Sequence, residues 1–107
     1  MMTNVIPFAK IKSFKEGQTT MRDMLDYLHE YRGAVVINLK IIDSVGIMIM
    51  SNTITFAHVK QDEFRPQLYV IESGGKIVSF LEDKSLDKYI LTKIENNGVY
   101  LSYTYKL

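Results

Sequence analysis

The stretch Asn38-Leu39-Lys40-Ile41-Ile42-Asp43-Ser44-Val45-Gly46-Ile47-Met48-Ile49-Met50-Ser51 decides how the chain is read. Two apolar runs flank a polar break at Asp43-Ser44 and a glycine at Gly46. Runs of this kind usually lie in a core. A carboxylate, a hydroxyl and a glycine between them mark a turn between two buried elements. The break therefore predicts the junction around which the fold is organised, and places the functional surface there.

Working outward, Ala34 to Leu39 is rich in valine and isoleucine, as a strand covered on both faces is. Upstream, Thr19 to Arg32 predicts a helix. Met21, Met24, Leu25, Leu28 and Tyr31 recur three and four apart. Thr19 or Thr20 can cap it, Asp23 suits its first turn, and Gly33 stops it. Before that, Lys15 to Gln18 reads as a turn, and Val5 to Phe14 as a strand with Pro7 at its edge. A helix, a glycine stop and a buried strand in succession predict an α/β layering.

Downstream, Ile41 to Lys60 is ambiguous. Ile42, Ile47, Ile49, Thr53, Ile54, Thr55 and Val59 favour strand. Yet Ile47, Met50, Ile54, His58 and Gln61 lie at helical spacing, and Asp43 or Ser44 would cap a helix starting near Val45. Asp62 to Pro66 is a polar connection. Gln67 to Ile71 predicts a second buried strand, broken by Ser73-Gly74-Gly75. Lys76 to Leu81 reads as a short helix. Leu86 to Leu107 predicts a β-hairpin about Asn96-Asn97-Gly98, with Leu101, Tyr103, Tyr105 and Leu107 on one side.

The bulk numbers set limits. At 107 residues the chain suits one domain, residues 1–107, with an ordinary core. Hydrophobic residues make 47% and charged residues 23%, which argues against global disorder. The formal charge is +1 and the basic residues are scattered, so no nucleic-acid partner is predicted. No run approaches the length of a membrane span and no signal peptide is visible, so no membrane partner is expected and the location expected is cytoplasmic. Cysteine is absent.

Few residues carry chemistry. His29 and His58 lack the spacing of a zinc motif, so neither metal nor cofactor is expected. Gly74-Gly75-Lys76 lacks the glycine that a phosphate loop needs five residues before the Gly-Lys pair. Tyr100, Tyr103 and Tyr105 could stack on bases, but only Lys106 is near, and sheet packing explains them better. Asp62-Glu63 and Glu82-Asp83 read as solvated surface. Asp43-Ser44-Val45-Gly46 stands apart because it follows a buried strand, where open α/β sheets place functional loops.

At these residues the chain resembles the STAS domain, the fold of bacterial anti-sigma factor antagonists. Ala34 to Leu39, Asp43 to Ile47, Leu68 to Ile71, Ile77 to Leu81 and Leu86 to Ile90 carry the resemblance, along with the helix from Thr20 to Arg32. The resemblance implies an α/β fold: a single-layer mixed β-sheet flanked by about three helices, here with a C-terminal β-hairpin, and Val45 to Lys60 helical. It implies a non-enzymatic regulatory module switched by phosphorylation of Ser44. The partner would be an anti-sigma factor resembling a serine kinase, docking on Asp43, Ser44, Val45, Gly46 and Ile47. Gly46 would let the backbones approach closely. Two alternatives are an unphosphorylated sensory or scaffold subunit, assembling with itself or holding a small ligand, and a small α/β nucleotide-binding or enzymatic domain. The last would draw on Asp43, Ser44, Asn38 and Lys40.

Overall fold

A computed structural model describes residues 11–30, 35–95 and 99–107, with the side chain of Glu30 outside the description. Seven strands are described: β1 (Val36–Ile42), β2 (Met48–Ile54), β3 (Ala57–Gln61), β4 (Leu68–Ser73), β5 (Lys76–Glu82), β6 (Tyr89–Glu95) and β7 (Tyr100–Lys106). They form a four-stranded sheet in the order β2-β1-β7-β6 and a three-stranded sheet in the order β3-β4-β5. Every pairing is antiparallel except β1 with β7. Among the described residues helix is confined to residues 11–13, a 3₁₀ turn at Arg22–Met24 leading into α1 (Leu25–Glu30), and a 3₁₀ turn at Asp83–Asp87.

The expected α/β architecture, one sheet flanked by about three helices, is therefore corrected to a mainly β structure with two sheets. Two segments account for the difference, and a third departs in the opposite sense. Val45 to Lys60, helical if the STAS resemblance held, is the tip of a hairpin followed by β2 and β3. Its β-branched residues pair along the ladder, and the helical spacing of Ile47, Met50 and Ile54 is incidental. Lys76 to Leu81 is not a helix but β5. Gly74 and Gly75 take φ of +59° and +84°, which suits the two central residues of a tight hairpin turn and not a helix start. Of the strand expected over Val5 to Phe14, residues 11–13 are helical and residues 5–10 lie outside the described residues.

The remaining elements follow the residue pattern more closely. Thr20 and Asp23 exchange hydrogen bonds, the Thr20 amide donating to Asp23 Oδ2 (2.9 Å) and the Asp23 amide to Thr20 Oγ1 (3.1 Å). That reciprocal exchange opens the helical segment as a capping box does. Met21, Met24 and Leu28 point into the core. The C-terminal hairpin is present as β6 and β7, with Leu101 and Tyr103 buried and its turn at 96–98 outside the described residues.

One apolar core joins both sheets. Ile37, Leu39, Ile54, Tyr89, Leu91, Leu101 and Tyr103 come from the larger sheet, and Ala57, Val59, Ile71 and Leu81 from the smaller. Ile11, Met21, Met24, Leu28 and Leu86 close the sides. A fully buried aliphatic side chain contributes roughly 1.5–3 kcal/mol, so this cluster is the main source of stability. On the opposite face of β1, Asn38 is also buried. Its Nδ2 donates to Thr53 Oγ1 (2.8 Å) and Ser51 Oγ (3.2 Å), and its Oδ1 accepts from Ser102 Oγ (3.1 Å). This one side chain ties β2, β1 and β7 together. At one flank Arg22 donates to Asp87 Oδ1 (2.7 Å) and to the Asp83 carbonyl (2.7 Å), pinning the first 3₁₀ turn to the second.

Tyr103 is fully buried and its hydroxyl donates to Met24 Sδ at 3.2 Å. Burial pushes its phenol well above the ordinary tyrosine range. The neutral form is thus favoured in the fold, and stability is fully present below the unfolded value of about 10 and declines as pH rises beyond it. Tyr103→Phe is expected to change urea stability by less than about 1.5 kcal/mol and to blunt this alkaline loss. Tyr103→Ala should cost about 3–5 kcal/mol through the cavity it leaves. An alkaline unfolding midpoint that does not move in Tyr103→Phe would remove the phenol from this role.

Candidate interaction surface

The Asp43 to Ile47 segment closes the β1–β2 hairpin. The Gly46 amide donates to the Asp43 carbonyl (3.1 Å) and the Asp43 amide to the Ile47 carbonyl (2.9 Å). Asp43 Oδ1 accepts from the amides of Val45 (3.0 Å) and Ile47 (2.9 Å). Gly46 sits at φ +90°. A turn followed by a glycine in the left-handed region is the usual three-residue hairpin loop with a bulge. Asp43 is therefore the residue that folds the loop, holding two amides that would otherwise point into water. The expected helix start at Asp43 or Ser44 is corrected accordingly. Gly46 has open space where a side chain would begin, so within this chain it serves the backbone angle and not a close approach.

The five residues expected to dock a partner stay together at the tip. Ser44 is exposed, Val45 is 77% exposed and Ile47 63%. The apolar surface continues into β2 through Met48, Ile49 and Met50, each 43–57% exposed. Of β2, only Ile54 is buried. The reading of Ile47 to Met50 as core was thus misplaced: β2 is an edge strand whose outer side meets no other strand among the described residues. Lys40 and Asn38, considered for catalysis, lie on β1. Asn38 is engaged by its sheet neighbours.

Beside the hairpin, Leu39, Ile41 and Met50 of the larger sheet and Phe80 and Leu81 of the smaller line an open groove of about 410 Å³. Tyr89 and Tyr105 meet edge to face at its rim, ring centres 5.2 Å apart. Burial raises the phenol of Tyr89 above its ordinary range, and neighbouring Tyr105 adds to the shift.

A second polar cluster, which the sequence reading missed, lies between α1 and β3. The rings of His29 and His58 stack at 5.5 Å, and His58 Nε2 is 2.6 Å from the His29 carbonyl. Glu72 accepts from Lys60 Nζ at 3.0 Å and lies 3.8 Å from His58 Nδ1. Only the β3–β4 register, which sets His58 opposite Glu72, brings these together. Among the described residues no three metal-binding side chains converge. Among the same residues no helix is long and apolar enough to cross a membrane.

Comparison with protein-family models, with curated proteins and with solved structures finds no match. The strand–turn–helix junction that the STAS resemblance implies is replaced here by a β-hairpin.

The loop geometry sets two expectations for urea unfolding. Gly46→Ala forces a side chain into the left-handed region and should cost about 1–2 kcal/mol. Asp43→Ala should cost about 0.5–1.5 kcal/mol through its lost amide contacts. A Gly46→Ala protein as stable as wild type would mean that the loop readily adopts another turn.

Proposed function

We propose that the chain is a non-enzymatic protein-binding module that offers the β1–β2 hairpin to a partner protein. One observation carries the reading: Val45, Ile47, Met48, Ile49 and Met50 form a run of exposed apolar side chains on a hairpin whose loop is held rigidly by Asp43. Contiguous apolar surface of this kind is costly to leave in water and marks interaction sites. The engagement of Asp43 and Asn38 in local hydrogen bonds favours binding over catalysis at this end of the strands.

Ser44 is the place where such a surface can be switched. Its exposed hydroxyl lies between Asp43 and Val45. A phosphate would add about −1.5 to −2 charge at neutral pH, and a partner packed on the apolar tip would have to desolvate it. The turn itself is held by Asp43 and Gly46, so the modification acts on docking more than on folding. An anti-sigma-factor partner rested on the STAS-like fold and gains no support from this geometry.

The test uses a photo-activatable amino acid at Val45, with Lys12 as an exposed control, in the cell that makes the protein. A discrete covalent adduct from position 45 and none from position 12 is expected. In that background Ser44→Asp should reduce the yield about tenfold, the equivalent of roughly 1.4 kcal/mol, while Ser44→Ala leaves it unchanged. No adduct at position 45, or equal adducts at both positions, defeats the reading. An adduct indifferent to Ser44→Asp removes the switch alone.

A further inference from the structure

We propose that the partner on this hairpin is a second copy of the chain, its β2 running antiparallel to β2 across a two-fold axis near Ser51, so that two four-stranded sheets become one of eight strands. The proposal rests on the hairpin-docking reading and names its occupant.

The first support is the treatment of the sheet edges. Unpaired edges invite other strands, and proteins protect them with cover, charge or bulges. The β6 edge is covered by residues 17–21: the Gly17 amide donates to the Leu91 carbonyl, the Leu91 amide to the Thr19 carbonyl and the Met21 amide to the Tyr89 carbonyl (2.7–2.9 Å). α1 packs along β3. The β5 edge carries Lys76 and Glu82 at its ends, Arg65 lies over the Phe80 ring at 5.5 Å, and the register slips by one residue at Val78. The β2 edge has neither cover nor charge, and its one irregularity is the extra residue Ile49 opposite the Ile41–Ile42 step of β1. Among the described residues no backbone hydrogen bond from outside its own sheet reaches Met48 to Ile54.

The second support is charge. From Ser44 to Ala57 there is no Asp, Glu, Lys or Arg, in a chain with 25 such residues (13 basic plus 12 acidic) among 107. A two-fold contact sets each residue against its own copy or near it, so like charges would face each other. A neutral strand escapes this in every register. It also offers no charge by which a different protein would be selected.

The third is self-complementarity. An axis at Ser51 pairs residue i with residue 102 − i, so Met50 meets Asn52, Ile49 meets Thr53, and Gly46 comes opposite Phe56. Phe56 is 66% exposed at φ +49°, just beyond the end of β2. The exposed tip of Val45, Gly46 and Ile47 lies just before its start. These two apolar ends sit at similar distances on either side of Ser51, so antiparallel pairing covers each Phe56 with the other copy's hairpin tip. The open space over Gly46 can accept the ring. Both ends are thereby added to the edge, which brings the contact toward the roughly 800 Å² per partner of a stable interface.

The experiment is light scattering on the purified full chain, followed by crosslinking. A mass twice the 12.4 kDa chain is expected, and Ile49→Lys should shift the dissociation constant at least about tenfold toward monomer. Because the chain has no cysteine, single-cysteine variants report cleanly. Ser51→Cys should yield a covalent dimer on mild oxidation, and Lys76→Cys at the β5 edge should not. Circular dichroism shows whether Ile49→Lys stays folded. Should it unfold, the paired cysteine variants decide. Monomer at every concentration up to about 1 mM overturns the proposal, as does a dimer that crosslinks through position 76 and not 51. A monomer that still gives an adduct of a different protein from Val45 overturns the second-copy proposal and leaves the docking reading standing. Absence of any adduct defeats that reading itself.

Discussion

The parallel pairing of β1 with β7 is the constraint on which the rest of the structure depends. Val36 to Ile42 lies beside Tyr100 to Lys106 in unbroken register. Without that pairing the larger sheet separates into two hairpins, β1–β2 and β6–β7, and isolated hairpins are marginally stable in water. Asn38 reinforces the joint from one face and the packing of Leu39 and Tyr103 from the other. A parallel pair cannot be joined by a tight turn and needs a long crossover. Here the crossover contains the whole of the smaller sheet, which lies over the apolar face it would otherwise leave exposed.

This arrangement decides which surfaces are free. The core face of the larger sheet is closed by the smaller sheet and the helical segments. Its β6 edge is closed by residues 17–21. These covers leave the β1–β2 hairpin open, as well as the half-exposed Ile77, Val78 and Phe80 of β5, and the hairpin's composition is the reverse of what an exposed edge usually carries. Isoleucine and methionine occupy positions where lysine or glutamate would be the neutral choice for solubility. A rigid loop at one end and a kinked Phe56 at the other frame that strand.

Much of this was legible in the residues, and the failures have physical causes. β1, β4 and the C-terminal hairpin show the valine, isoleucine and tyrosine enrichment of buried or half-buried strands. Asp43 to Gly46 was legible as a turn, because Asp and Gly mark the positions that need a side-chain acceptor and a positive φ. β2 was legible only as an open choice between strand and helix, since Ile-Met-Ile-Met lacks the alternation of a strand with one wet face. A run exposed on both faces obeys neither period, and its spacing matched a helix by chance. β5 was lost because the extra residue at Val78 interrupts its alternation, while Gly74-Gly75, a sound hairpin signal, was read as a strand break opening a helix. The His29–His58–Glu72 cluster depends on strand register and on the placement of α1, which no local pattern encodes. The STAS resemblance turned the open choice at β2 into an error by supplying a helix there.

The smaller sheet has a further consequence for the order of folding. Its three strands span residues 57–82, and its β4–β5 turn is pre-shaped by two glycines. Every contact within it is local, so it can form early. Pairing β1 with β7 joins residues 64 apart in the chain, and such closures are slow. During synthesis the meander is complete while β1 still lacks its central partner. Val59 can meet α1 early, but Ile71 and Leu81 lack the β6–β7 part of the core until residues near 106 have left the ribosome. The nascent chain thus carries an exposed apolar sheet face beside the neutral β2 edge, and that interval is when it is most vulnerable to aggregation.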